Sequence, residues 1–188
     1  MLEAIDQWDK NLFLLLNGLH VDWLDPIMRY GTDTETWIPL FIVLIYFIYK
    51  AEGRKWVYII LLVAFCVLLT DQFSASLMKP MIGRLRPCYD ESIKESIHLL
   101  KRCGGYYGFV SSHAANTFGV ATFLFLVFRG RMKYIGLLFL WSGFVAYTRI
   151  YVGVHYPLDI FFGSVSGIII GYLVYKVYLL YKNRIQTR

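Results

Sequence analysis

The stretch "WVYIILLVAFCVLLTDQFSASLM", Trp56–Met78, decides the fold. It carries a single charged residue, Asp71, near its far end. About 20 mainly apolar residues in a helix cross the hydrocarbon core of a bilayer. Working outward, four more apolar runs share its character. One runs from Asp33 to Lys50 around "TWIPLFIVLIYFIY", with Pro39 in its first two turns, where a kink is expected. The others cover about Ser112 to Phe128, Tyr134 to about Thr148, and Tyr156 to about Tyr181. The chain has 188 residues, 57% of them hydrophobic and only 17% charged, where a soluble domain holds about a quarter charged. The expected fold is therefore all-α: a polytopic membrane helix bundle of about five transmembrane helices.

Residues 1–31 read as a separate segment, because the apolar part of "IDQWDKNLFLLLNGLH" is too short to span. An interfacial amphipathic helix is expected there, with Trp8 at headgroup level. Asp25–Pro26 suggests a helix N-cap and first turn, and Thr32 with Glu35 suggests a capping box. Residues 32–188 form the expected membrane-embedded domain, with a polar outer loop of about 79–110. The opening "MLEAIDQWDK" is acidic and has no cleavage-type small-residue site, so no secretory signal is expected.

Net charge is +6. The basic residues gather in the turns "KAEGRK" and "RGRMK" and in the tail "KNRIQTR". The positive-inside rule puts these in the cytoplasm. The N-terminal segment, the 79–110 loop and the 148–156 turn then lie outside. Topology accounts for the charge, and no nucleic-acid partner is expected. The tight turns and loop-poor chain suggest a bacterial inner (cytoplasmic) membrane, with membrane lipids as surroundings. Oligomeric state is not legible. Cys66 reads as a packing residue, and Cys88 and Cys103 share a loop that would let them pair in an oxidising compartment.

Three clusters break the apolar pattern, all on the outer side. "KPMIGRLRP" brings Lys79, Arg84 and Arg86. "GFVSSHAANTF" sets Ser111 or Ser112 as a cap, with His113 in the first turn of a helix. "TRIYVGVHYPLDI" supplies Arg149, His155 and Asp159. His155 and Asp159 are four apart, on one face if both join the helix starting near Pro157. A carboxylate bonded to one imidazole nitrogen fixes the tautomer and leaves the other as a lone pair. Ionisable residues at membrane depth are functional by default. Fixed cations and helix N-termini hold anions. The set is what an enzyme needs to hold a phosphoryl group and attack it with histidine.

These residues resemble those of the type 2 phosphatidic acid phosphatase superfamily, the integral-membrane lipid phosphate phosphatases. Its motifs are KxxxxxxRP, PSGH and SRxxxxxHxxxD. Here they correspond to Lys79–Pro87, to "VSSH" at Val110–His113, and to "TRIYVGVHYPLD" at Thr148–Asp159. Val110, Ser112 and Thr148 depart from the pattern, and Ser112 narrows the backbone freedom that glycine allows. The resemblance implies that His155 is the nucleophile and Asp159 orients it. It implies that His113 is the general acid and then the base. Lys79, Arg86, Arg149 and Ser111 would hold the phosphoryl oxygens, with backbone around Ser112. It implies no metal and no cofactor, and a lipid phosphate or diphosphate as substrate. Undecaprenyl diphosphate is the first choice, since an outward-facing site suits recycling of that carrier. Phosphatidylglycerophosphate, phosphatidate and lipid A phosphates are the alternatives.

Two other classes compete. A haem protein would use His113 and His155 as axial ligands, and a lipid or anion transporter would use the basic pocket without chemistry. Neither needs the His–Asp spacing. Among softer signals, Asp71 and Gln72 support the site or are solvated. Gly163, Gly167 and Gly171 mark a close-packing helix face. His20 and His98 read as surface residues, and Arg84 as a contact to substrate or headgroups.

Overall fold

The computed structural model describes residues 2–186. Its helices are α1 (Leu2–Asn17), α2 (Asp25–Gly31), α3 (Ile38–Glu52), α4 (Trp56–Asp71), α5 (Lys79–Ile82), α6 (Ser112–Phe128), α7 (Leu137–Tyr151) and α8 (Pro157–Gln186). A π-helical stretch, Gln72–Met78, joins α4 to α5 without a break. The expected bundle is present: α3, α4, α6, α7 and α8 are its five long apolar rods, and no strand occurs among the described residues. Helical structure from Thr34 to Ile82 and from Pro157 to Arg184 is long and apolar enough to cross a membrane.

Pro39 starts α3 rather than kinking it. A 3-10 turn, Thr34–Trp37, precedes it, and proline sits in the first turn, where its missing N–H costs nothing. Gly53, at φ 52°, breaks the α3–α4 connection. The α3–α4 and α6–α7 turns lie side by side, because Arg131 pairs with Glu52.

Two expected caps do not form. Leu24 holds the N-cap place of α2, so Asp25 is already inside the helix. Thr32 closes the end of α2, and its hydroxyl receives Arg149 Nη1 instead of capping a helix.

The glycine face of α8 lies directly on α6. A Cβ at Gly167 would stand 2.3 Å from the Ala115 carbonyl oxygen, and one at Gly171 would stand 2.3 Å from that of Gly119. Only glycine lets the backbones approach so closely. This contact sets the head of α6, with Ser111 and His113, beside the head of α8, with Asp159.

Helix α1 turns a polar stripe inward. Asp9, Phe13 and Asn17, spaced by four, are buried, while Trp8, Leu15 and Ile5 face outward. Asn17 donates to the carbonyls of Ile150 and Tyr151 at 3.1 and 2.8 Å and receives the His98 N–H at 2.7 Å. The N-terminal segment is thus bolted to the end of α7, where Arg149 sits.

Candidate active site

The loop between α7 and α8 carries His155, which stands just before the helix rather than in it. Both it and Asp159 are buried, at 1% and 0% exposure. Their contact forms nonetheless: His155 Nδ1 lies 3.2 Å from Asp159 Oδ2. The same oxygen accepts the Tyr156 N–H at 3.1 Å. On the other ring nitrogen, Nε2, Arg86 Nη1 approaches to 2.9 Å. A guanidinium only donates, so Nε2 is the lone-pair nitrogen and Nδ1 carries the proton to Asp159. Burial, and then the charges of Arg86, Arg149 and Lys79, hold the His155 pKa well below the usual imidazole range. The imidazole is neutral at pH 7.

Arg86 is fixed by the carbonyls of Gly105 and Val154, at 2.8 and 3.0 Å. Its Nη2 bonds nothing among the described residues. Lys79 Nζ donates to Ser112 Oγ at 2.9 Å, and Ser74 Oγ lies 2.8 Å from the same oxygen. No residue other than glycine has positive φ among those described, so Ser112 needs no glycine-like backbone. Arg149 reaches Thr32 with Nη1 and leaves Nε buried without a partner. Ser111 is buried too; its N–H bonds the Asp159 carbonyl at 3.0 Å, while its hydroxyl has no partner. Buried polar groups are rarely left unsatisfied in native proteins. Here two of them, in a ring of three cations, mark room for an anion. His113 stands within electrostatic reach of Arg149, His155, Lys101 and Lys79. All eight sequence-derived site residues thus gather at one end of the bundle.

Sequence reasoning missed the layer behind them. Arg84 does not point to a substrate. Its Nη1 donates to Asp159 Oδ1 at 3.2 Å and forms an ion pair with Asp9 Oδ2 at 2.7 Å, its Nη2 donates to Asp6 at 2.9 Å, and its guanidinium stacks 4.1 Å from the Tyr156 ring. Asp9 Oδ1 also accepts the Leu158 N–H at 3.0 Å. Burial raises the Asp9 pKa more than the Arg84 contact lowers it. Gly108 is required as well: a Cβ there would come within 2.9 Å of Asp159 Oδ2. His98 is not a lone surface residue, since its Nε2 meets Asp25 at 3.0 Å and its ring stacks on His20. Cys88 and Cys103 form a disulfide, and Cys66 is free and buried in the core. The acidic signal in α1 was visible, but nothing local tied it to a residue 75 positions away.

Below the head of α6 opens a cavity of about 450 Å³ between α3, α4, α6 and α7. Asp71, Ser112, His113 and Thr32 form its polar end, and Phe41, Ile60, Val120 and Trp141 are among its apolar walls.

A ring of cations with two unsatisfied polar groups, a buried His–Asp pair and an apolar cleft in a membrane helix bundle define a class. The PAP2 superfamily profile matches residues 56–182, and the chain belongs to that family and is a lipid phosphatase of its type. Among relatives, it is 34% identical to a lipid A 4'-phosphatase of Bacteroides thetaiotaomicron, over all of this chain and 84% of the relative. It is 35% identical to a lipid A 4'-phosphatase of Porphyromonas gingivalis, over 97% of this chain and 78% of the relative. An undecaprenyl-diphosphatase of Sulfolobus acidocaldarius is 28% identical, over 90% and 78%. The crystal structure of Aquifex aeolicus LpxE superposes with a TM-score of 0.65 at 27% identity, covering 88% of this chain and 93% of that one. A phosphatidylglycerolphosphate phosphatase from Bacillus subtilis shares the fold, with a TM-score of 0.65 at 20% identity, over 91% of this chain and 84% of that one.

Proposed function

We propose that the chain hydrolyses a phosphate monoester of a lipid A-type glycolipid at the outer face of a bacterial inner membrane, through a phosphohistidine at His155. Undecaprenyl diphosphate gives way as first choice, because the two lipid A 4'-phosphatases are 34% and 35% identical to this chain and the undecaprenyl-diphosphatase 28%.

One observation carries the mechanism: His155 Nε2 is a held lone pair in a ring of cations, two of whose neighbouring donors are unsatisfied. The phosphoryl group takes Ser111 Oγ, Arg149 Nε, Arg86 Nη2 and Lys79 as donors. Charge developing on its oxygens is stabilised by groups already in place. Nε2 attacks phosphorus, the N–P bond forms, and the P–O bond to the lipid breaks. His113 gives its proton to the leaving oxygen. It then takes a proton from water, whose oxygen attacks phosphorus and releases inorganic phosphate and free His155. Asp159 accepts the Nδ1 proton's hydrogen bond throughout. None of these steps calls for a metal or cofactor. The apolar cleft accepts the lipid's acyl chains.

The orientation rests on charge. Both basic turns sit at one end, joined by Arg131 and Glu52, and the site is at the other. A disulfide in the site's own loop suits an oxidising compartment.

The test is phosphate release by purified protein in detergent, over lipid A, phosphatidylglycerophosphate, phosphatidate and undecaprenyl diphosphate, with and without chelator. Lipid A is expected to turn over best, in chelator as well. His155→Ala is expected to lose on the order of 10⁴-fold in kcat, as when a covalent nucleophile is removed. Wild-type rates in that variant would end the phosphohistidine mechanism.

A further inference from the structure

The site holds more fixed cations than one phosphoryl group uses, and the surplus stands at its mouth. Lys101 lies in the outer loop, outside all three motifs. Its Nζ pairs with Asp33. Asp33 is flanked by Thr32, which receives Arg149, and by Thr34, and both threonines line the apolar cavity. Lys101 is in electrostatic reach of His113 on the site side, and of Arg149 and Arg29.

The loop that presents Lys101 is rigidly placed. The His98 N–H bonds Asn17 at 2.7 Å. The Leu100 N–H bonds the Val152 carbonyl at 3.4 Å, and Cys103 is tied to Cys88. Gly153, at φ 83°, lies so close that a Cβ would stand 2.8 Å from the His98 carbonyl oxygen. The backbone carrying Lys101 is therefore packed on the same turn that carries His155. Unlike the buried Arg86 and Arg149, Lys101 meets solvent: its side chain is 35% exposed, and that of Asp33 is 33% exposed. A lysine–carboxylate pair one third exposed is weak, and a phosphate, with up to two charges and three acceptor oxygens, competes with the carboxylate for Lys101.

We propose that Lys101 is a second anion subsite, taking a phosphoryl group of the substrate that is not cleaved. Arg29, exposed beside it, supplies a further positive charge. The scissile group lies on His155, the acyl chains in the cleft, and the retained phosphoryl at the mouth against Lys101. Two lipid types carry such a group: a diphosphate, where it adjoins the scissile one, and a glycolipid phosphorylated at two separate positions. Burial and the neighbouring arginines lower the Lys101 pKa, even with Asp33 as its partner.

This rests on the phosphatase reading above, and the experiment separates the two. Steady-state phosphate release is measured for wild type, Lys101→Gln and Lys101→Arg on three lipids: undecaprenyl diphosphate, bisphosphorylated lipid A and lipid A bearing only the scissile phosphate. Loss of one charge-assisted hydrogen bond is expected to raise KM about tenfold on a two-phosphate lipid. On the monophosphate, KM is expected to move less than about twofold, and Lys101→Arg is expected to restore the two-phosphate KM. Whichever two-phosphate lipid shows the rise identifies the position of the retained group. An equal rise on all three lipids, or no rise on any, overturns the subsite. If wild type releases phosphate from none of them, the phosphatase reading falls first. A melting curve of Lys101→Gln matching wild type excludes misfolding as the cause of a rise.

Discussion

At the scale of the residue, the site is an arrangement of charge around one neutral imidazole. His155 cannot accept a proton cheaply, since burial removes water and Arg86 points a guanidinium at Nε2 from 2.9 Å. That same guanidinium is the contact a phosphoryl oxygen would share. It follows that Arg86→Gln has two effects. Phosphate release falls, by about 10²-fold or more if one donor to the transferring group is lost. The second effect is on pH. With the positive charge gone, the imidazolium is penalised less, so the His155 pKa rises. The neutral base is then lost at a higher pH, and the acid limb of kcat/KM moves upward. The measurement is kcat/KM from pH 4.5 to 8 for both proteins. An acid limb that stays put, or moves down, would show that Arg86 does not set the protonation of His155. The motif residues themselves were legible, because chemistry at membrane depth demands rare residue types at fixed spacing. Their supports were not. Gly108 is needed only because Asp159 Oδ2 comes within 2.9 Å of where its Cβ would be, and nothing adjacent in sequence announces that. Thr32, expected to cap a helix, serves Arg149 instead. A threonine hydroxyl accepts from whichever donor the fold brings, and here a buried guanidinium takes precedence over a short 3-10 turn.

At the scale of the element, α6 and α8 carry the site between them. Ser111 heads one and Asp159 the other, and the Ser111 N–H bonds the Asp159 carbonyl at 3.0 Å. Their spacing is set lower down, by glycine against backbone. Gly167→Ala would press a Cβ to 2.3 Å from the Ala115 carbonyl oxygen. Backbone cannot rotate away as a side chain can, so the helices must part. Overpacking of this kind costs about 1–3 kcal/mol, and activity falls with it because the two helix heads separate. Gly143 in α7 makes the contrast, since a Cβ there meets nothing within 4 Å. Gly143→Ala should be neutral or stabilising by up to about 1 kcal/mol, the helix propensity difference. Thermal melting and phosphate release of the two variants decide the matter. Equal melting temperatures would mean that the helix contact is not what spaces the site. The four-residue glycine spacing was readable in the sequence; its partner was not, because α6 offers alanines and a glycine that look like any apolar helix. Which face of α1 docks was not legible. Its leucines and Trp8 were visible, yet the side that docks is Asp9, Phe13 and Asn17, where Asp9 meets Arg84 and the Leu158 N–H, and Asn17 meets the carbonyls at the end of α7.

At the scale of the molecule, apolar rods hold one end in common and the long polar loop closes over the other. The loop from Arg86 to Val110 has little helix of its own and no large core. Its order comes from a few anchors: Arg86 on Gly105, Asn17 on His98, Lys10 on Asp90 at 2.8 Å, and the Cys88–Cys103 bridge. Burial alone would raise the Asp90 pKa, but Lys10, Ser92 and Tyr156 pull it well below the usual carboxylate range, so this anchor persists through neutral and mildly acid pH. The disulfide spans 15 residues. Closing a loop of that length removes about 3 kcal/mol of chain entropy from the unfolded state. Replacing both cysteines by serine is therefore expected to lower the melting temperature by several degrees. The effect on catalysis should be larger than the melting shift suggests, since Arg86 precedes Cys88 by two residues and Lys101 precedes Cys103 by two. In cells, the bridge also reports where the loop lies. Membranes prepared with a thiol-blocking reagent present during lysis should yield protein whose Cys88 and Cys103 are already oxidised, seen as a mobility change on reduction. Recovery of both as free thiols would place the loop in a reducing compartment and reverse the orientation argued from the basic turns.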